Sequence, residues 1–358
     1  MAATQYLYTV NVGGPSGEPA GYARYSLPDL KFLEMTPATG ETNIAFGKGG
    51  LPYFVDAANG PQQTGFGVFA MPLSNGMGVP AVEQFYGLCG FGSGDIGSYK
   101  FATGPTGDFY AIQICTNNVG EWKPAQNGKM ENPFVTFSGG NIGPGKASPS
   151  AIGVDSNGGL YVGDAGGGVT YFKPGSKTPQ VALPTGCCGG AIYQLTPDTN
   201  GNMWTTYDDG PTSTFKNDNS CTIDPNGSIE RSEVGEVFSR GKLVEHLYSI
   251  PEADKKYNID GTSIAVDSKG RAYLSLIVPN SSVLEYPPGT SCPDSTFNLN
   301  GQYLEDPEVA VDEQDRFYVT DSTKNSITAY NSASTKPRAS IVQPKGVFDP
   351  IDIALGPP

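Results

Sequence analysis

One recurring turn limits what this chain can become. Asp-x-x-Gly, or Asp-x-x-Asp, separates a short apolar run from an aromatic run in SAIGVDSNGGLYVGDAGGGVTYFKPG from Ser150, in TSIAVDSKGRAYLSLIVPNSSVLEYPPG from Thr262 and in PEVAVDEQDRFYVTDSTKNSITAYNSAS from Pro307. Each copy reads as an apolar strand, the turn, an aromatic strand, a small polar loop and a third strand ending in Tyr or Phe. The turn has a mechanism: Asp bonds its own backbone two residues on, and Gly takes positive φ. With 48 Gly and 30 Pro among 358 residues, a helical bundle or coiled coil is excluded, because both residues are costly inside helices.

Weaker copies fill the remaining chain: TNIAFGKGGLPYFVDAAN from Thr42, KFATGPTGDFYAIQI from Lys100 and IYQLTPDTNGNMWTTYDDG from Ile192. With PIDIALGPP from Pro350, the starts fall at 42, 100, 150, 192, 262, 307 and 350, and most steps lie between 42 and 58 residues. Forty-odd residues per four-stranded unit is the period of a propeller blade. The opening QYLYTVNVGG and GYARYSLPD resemble second and third strands, whereas PIDIALGPP resembles a first strand alone. The expected fold is therefore all-β: a single β-propeller over 1–358, closed by pairing the N-terminal strands with the C-terminal one, so that no edge strand is exposed. Seven starts predict seven four-stranded blades, or six if the divergent unit at Thr42 or Lys100 is something else. The widest step, 70 residues from Ile192, holds a polar insertion expected as a loop over 211–234.

LYVGDAGGGVTYF from Leu160 and FYVTDSTKNSITAY from Phe317 resemble the NHL-repeat, YVTN-repeat and streptogramin-lyase-like propellers. That resemblance implies that the first strand of each blade lines a central channel, with ligands at one mouth. Aligned on their apolar pairs, the first strands place Asn43, Phe101, Ala151, Gln194, Ser263, Glu308 and Asp352 on one ring, with Asp260, Asp306 and Asp349 nearby. The candidate ligand funnel is Asn43, Gln194, Ser263, Glu308 and Asp352. Within it, Glu308, Asp352 and Asn43 are candidate ligands for Ca²⁺ or Mg²⁺, hard cations that take oxygen donors. The competing reading is a set of solvated loop ends beside a water-filled channel.

Streptogramin-type lyases of this resemblance rely on histidine, typically beside Mg²⁺. This chain has one His, His246 in KLVEHLYSI, expected on an outer strand as a surface or packing residue. No phosphate-binding motif is present: GPGKAS supplies Gly-Lys but then Ala instead of a hydroxyl residue. A net charge of −14 without a basic cluster argues against nucleic acid. No run of 18 apolar residues exists to span a membrane as a helix.

The six cysteines, Cys89, Cys115, Cys187, Cys188, Cys221 and Cys292, allow about 15 pairings. Cys89 with Cys115, Cys221 with Cys292, and a vicinal Cys187–Cys188 bridge are the options considered. MAATQYLYTV carries no basic and apolar leader. An even Cys count and low charge nevertheless favour an extracellular or periplasmic setting. On this reading the function is that of a non-catalytic propeller, binding a protein, glycan or small molecule through rim loops or the funnel. The alternative is a divalent-cation-dependent lyase- or lactonase-like enzyme at the channel mouth. A second alternative is a self-assembling extracellular structural protein.

Overall fold

The computed structural model describes residues 5–11, 21–37, 44–46, 52–56, 67–70, 101–113, 117–123, 135–143, 146–186, 190–207, 210–216, 221–250, 261–277, 282–299, 307–322, 324–331, 336–343 and 350–356. Among them there is no helix, and the strands form seven antiparallel sheets.

The first sheet holds β1 (Tyr6–Asn11), β2 (Gly21–Ser26) and β3 (Lys31–Pro37), and the second β4 (Ile44–Phe46), β5 (Pro52–Asp56) and β6 (Gly67–Ala70). β7 (Phe101–Thr103), β8 (Phe109–Gln113), β9 (Asn118–Trp122) and β10 (Val135–Phe137) make the third. The fourth is β11 (Pro149–Val154), β12 (Leu160–Asp164), β13 (Val169–Phe172) and β14 (Pro179–Leu183). The fifth contains β15 (Ile192–Pro197), β16 (Asn202–Tyr207), β17 (Thr212–Phe215), β18 (Ile229–Ser239) and β19 (Lys242–Tyr248). β20 (Gly261–Val266), β21 (Ala272–Leu276), β22 (Ser282–Tyr286) and β23 (Ser295–Asn298) follow as the sixth sheet. β24 (Val309–Val311), β25 (Arg316–Asp321), β26 (Ser326–Asn331) and β27 (Pro337–Val342) make the seventh.

The last strand, β28 (Pro350–Gly356), returns to the first sheet and pairs antiparallel with β1, from Tyr6↔Gly356 to Asn11↔Pro350. This is the closure expected from the sequence, with the two chain ends sharing one sheet. The inner strands β28, β4, β7, β11, β15, β20 and β24 each contact the next in that order, and β24 contacts β28 to complete the circle. The core is divided into wedges between successive sheets. One joins Tyr161, Val169 and Tyr171 to Met203, Tyr207 and Phe238, and another joins Tyr273 and Val283 to Phe317 and Tyr330. Gly163 marks how closely the sheets approach, since a Cβ there would lie 2.5 Å from Ile192 Cγ2.

The repeated turn behaves as its chemistry dictates. Asp155 Oδ1 accepts the N–H groups of Asn157 and Gly159 at 2.9 and 2.8 Å. Asp198, Asp267 and Asp312 accept the corresponding pairs in the fifth, sixth and seventh sheets. Gly158, Gly201 and Gly270 take φ of 85°, 83° and 81°, and Asp315 takes the same left-handed position at 57° where no glycine is present. In the fifth and seventh sheets the second carboxylate oxygen also ties the turn to its blade: Trp204 Nε1 donates to Asp198 at 3.1 Å, and Tyr318 OH to Asp312 at 2.8 Å. In the polar segment 211–234, β17 pairs with the first half of β18 from Thr212↔Ser232 to Phe215↔Ile229, so much of it is a hairpin where a loop was expected.

Candidate functional site

Among the described residues, three places bring chemically active side chains together. The first is a recess of about 240 Å³ on the central channel. Its walls come from the inner strands β28, β4, β7, β11 and β15, with Phe101, Ala151, Tyr193, Gln194 and Asp352 among them. Asn43, Asp260, Asp306 and Asp349 lie outside the described residues. Ser263, on the inner strand β20, and Glu308, immediately before the inner strand β24, are buried and do not line this recess.

Three polar ring positions, Gln194, Ser263 and Asp352, share a role that the sequence did not reveal. Each of these three accepts the N–H of the residue following the ring position in the next sheet. Gln194 Oε1 accepts Ile264 N–H at 2.5 Å, Ser263 Oγ accepts Val309 N–H at 3.1 Å, and Asp352 Oδ2 accepts Ile44 N–H at 3.0 Å. Thr103 and Ser150 clasp neighbouring sheets from the donor side, giving their hydroxyl hydrogens to Phe46 O and Ile192 O, both at 2.7 Å. An inner strand has no hydrogen-bonded strand on its channel side, so its buried backbone groups need such partners. Glu308 donates its own N–H to Thr320 Oγ1 at 3.0 Å.

These commitments bear on a bound cation. Asp352 Oδ1 also accepts the Ile353 N–H, at 2.8 Å, so both carboxylate oxygens serve the backbone. With Asn43, Asp260, Asp306 and Asp349 outside the described residues, the engaged oxygens of Asp352, Gln194 and Ser263 by themselves fall short of the six to eight that Ca²⁺ takes. The described Gln194, Ser263 and Asp352 therefore form an interblade clasp.

The second place is a cleft of about 560 Å³ between the third and fourth sheets, walled by Tyr110, Phe137 and Phe172. Three of its charged groups pair with one another: Lys123 Nζ lies 3.1 Å from both Asp108 Oδ2 and Glu121 Oε1.

The third lies on β18 and β19, away from the channel. Glu236 and His246 are directly opposite in the antiparallel ladder. Glu233 is three residues before Glu236 and would face the other side of a regular strand. A bulge between Glu233 and Gly235 inserts one residue and returns it to the same group. The ligand atoms of Glu233, Glu236 and His246 all lie within 4.8 Å of one another. His246 Nδ1 is 2.5 Å from Glu233 Oε1 and 3.6 Å from Glu236 Oε1. Tyr207, whose ring packs between the fourth and fifth sheets, donates its hydroxyl to Glu233 Oε1 at 2.5 Å. Thr205 Oγ1 accepts the Glu236 N–H at 2.9 Å. Both carboxylates are buried while the imidazole is half exposed. The Glu233 hydrogen bond raises the His246 pKa above its ordinary value, and burial opposes that shift. His246 occupies the outer strand, as the sequence indicated. Its partners were missed, because Glu-x-x-Glu does not suggest a shared face until the bulge is known.

The one disulfide among the described residues joins Cys221 to Cys292, with Cα atoms 5.9 Å apart. Cys89, Cys115, Cys187 and Cys188 lie outside the described residues.

No protein-family model matches this sequence, and no curated protein matches it. Solved structures do match along the whole chain. A candidate 6-phosphogluconolactonase from Bacteroides uniformis gives a TM-score of 0.65 at 12% identity, covering 99% of both chains. The periplasmic gluconolactonase of Pseudomonas aeruginosa gives 0.64 at 11%, again over 99% of both chains. An inactivated virginiamycin B lyase from Staphylococcus aureus gives 0.56 at 13%, over 86% of each chain. At such identities the likeness shows the fold, and at that level the resemblance to streptogramin-lyase-like propellers holds. The expectation of a non-catalytic binding propeller is corrected to this extent: the similar structures named here carry lactonase and lyase descriptions.

Proposed function

We propose that this chain is a lactonase-like enzyme that opens small cyclic esters in the recess of its central channel. The observation carrying this reading is that the Asp352 carboxylate and the Gln194 amide line one recess of about 240 Å³. Lactone hydrolysis needs a base for the attacking water and a donor for the developing oxyanion. A carboxylate has about four lone-pair sites, so Asp352 retains acceptor capacity beyond its two backbone bonds. Gln194 Oε1 faces the Ile264 N–H, which orients the amide and leaves its NH₂ as the donor. Water adds to the carbonyl carbon as Asp352 takes its proton. The ring C–O bond then breaks, and the proton passes to the leaving alkoxide. The volume suits a ligand below drug size, and the lactonase descriptions of similar folds support the same class.

An extracellular or periplasmic location is part of this proposal, supported by the Cys221–Cys292 bridge. The test is acid release from δ-gluconolactone and its 6-phosphate above the buffer rate. Asp352→Asn keeps an acceptor for Ile44 N–H and removes the base, so the rate should fall at least about 10²-fold. Wild-type protein no faster than buffer, or an Asp352→Asn variant as fast as wild type, would refute the reading.

A further inference from the structure

We propose that Glu233, Glu236 and His246 form a binding site for one borderline divalent cation of the Zn²⁺ class, separate from the channel. The argument begins with the donor set. Two carboxylates and one imidazole nitrogen suit Zn²⁺, or Co²⁺ and Mn²⁺ in its place, better than Ca²⁺ or Mg²⁺, which prefer all-oxygen shells. Tetrahedral coordination at about 2.0–2.2 Å separates ligand atoms by roughly 3.4 Å. The His246–Glu236 separation of 3.6 Å already matches. The His246–Glu233 separation of 2.5 Å is that of a hydrogen bond, and it opens by about 1 Å when an ion of that geometry replaces the proton between them.

Charge supplies an independent reason. Glu233 is 4% exposed and Glu236 fully buried, while the imidazole beside them is half exposed. Two carboxylates and an imidazolium leave one formal negative charge in a largely dry place, and buried charge is costly without compensation. A divalent cation with neutral imidazole brings the group to zero. Binding displaces the Nδ1 proton to solvent, and the Nδ1–metal bond takes its place. The half-exposed imidazole gives the ion a route in from water.

The surroundings hold the ligands ready. Tyr207 OH fixes Glu233, and the Thr205 hydroxyl accepts the Glu236 backbone N–H. Such supporting bonds orient ligands and raise metal affinity. The β-bulge that brings Glu233 round is the structural device that makes a three-ligand group from a Glu-x-x-Glu strand.

The test is equilibrium dialysis of untagged, full-length protein against Zn²⁺, with Co²⁺ absorption as a second readout. The expectation is one ion per chain and a Co²⁺ spectrum without a thiolate charge-transfer band. Glu236→Gln and His246→Ala should each weaken binding by more than about 10-fold, and Tyr207→Phe by about 10-fold. Thermal melts establish that each variant is folded, and His246→Ala, at the half-exposed member, keeps the test open if a buried variant fails. Wild-type protein that retains no ion overturns the proposal. So does binding unchanged in His246→Ala, which would place the ion on the cysteines or elsewhere. Lactone hydrolysis at Asp352 is measured separately, so either proposal can fail while the other stands.

Discussion

The Cys221–Cys292 bridge closes a loop of 71 residues and links the turn after β17 to the connection between β22 and β23. It therefore ties the fifth sheet to the sixth, over a small cluster of Phe215, Tyr248 and Cys292. In the chain-entropy account, closing a loop of that length removes about 4.4 kcal/mol of unfolded-state freedom at 25 °C. A chain of 358 residues has an unfolding entropy near 0.75 kcal/mol per kelvin at about 2.1 cal/mol/K per residue. Replacing both cysteines by Ser should therefore lower Tm by roughly 6 °C. Scanning calorimetry of the double variant against wild type, both oxidised, measures this directly. Targeted substitution is preferable to a reductant because it leaves the other four cysteines untouched. A fall smaller than about 2 °C, with one cooperative transition in both proteins, would refute the loop-entropy reasoning.

His246 is the only imidazole in the chain, so its Hε1 resonance can be followed by ¹H NMR in metal-free protein without assignment. Its midpoint should lie above the ordinary value of about 6.5, since the Glu233 bond raises it. A group raised in the folded state contributes stability fully below its unfolded pKa and loses it as pH rises through the folded value; a midpoint at or below about 6.5 would remove this basis. Asp155→Ala deprives two backbone N–H groups of a buried charged acceptor and should cost about 2–4 kcal/mol in urea unfolding. Asp224→Ala, which loses one exposed bond to the Asn226 N–H, should cost less than about 1 kcal/mol, and equal losses would refute the assigned role of the turn.

The architecture was legible because its determinants are local. An Asp that folds back on its own backbone needs no distant partner, so the four clasped turns could be located from spacing alone. The mid-repeat start and lone final strand also identified the pairing of β1 with β28. The ring of inner positions was legible as a ring, because strand alternation assigns a face. Its chemistry was not, because the group that each Gln, Ser or Asp serves belongs to the next sheet, 46 to 308 residues away for the three clasps described. The Glu233–Glu236–His246 group was hidden for a different reason. A bulge changes which residues share a face, and no turn residue or repeated spacing announced this one.

The dual position of Asp352 permits a stricter separation of structure from chemistry than an activity assay alone. Its Oδ2 joins the C-terminal strand β28 to Ile44 on the second sheet, next to the place where the chain ends meet. It is also the carboxylate of the recess. Removing it as Asp352→Ala loses both roles, while Asp352→Asn loses the base and the local Ile353 acceptor but keeps an oxygen for the Ile44 N–H. If Asp352 acts as proposed, the two variants should be similarly inactive, and the Ala variant should unfold at lower urea than the Asn variant, by about 1–3 kcal/mol for the orphaned Ile44 N–H. If Asp352 is a clasp and nothing more, activity should follow stability, with Asn near wild type and Ala impaired. Comparing the rank order of two variants in two assays thus distinguishes a catalytic carboxylate from one that only holds the ring closed.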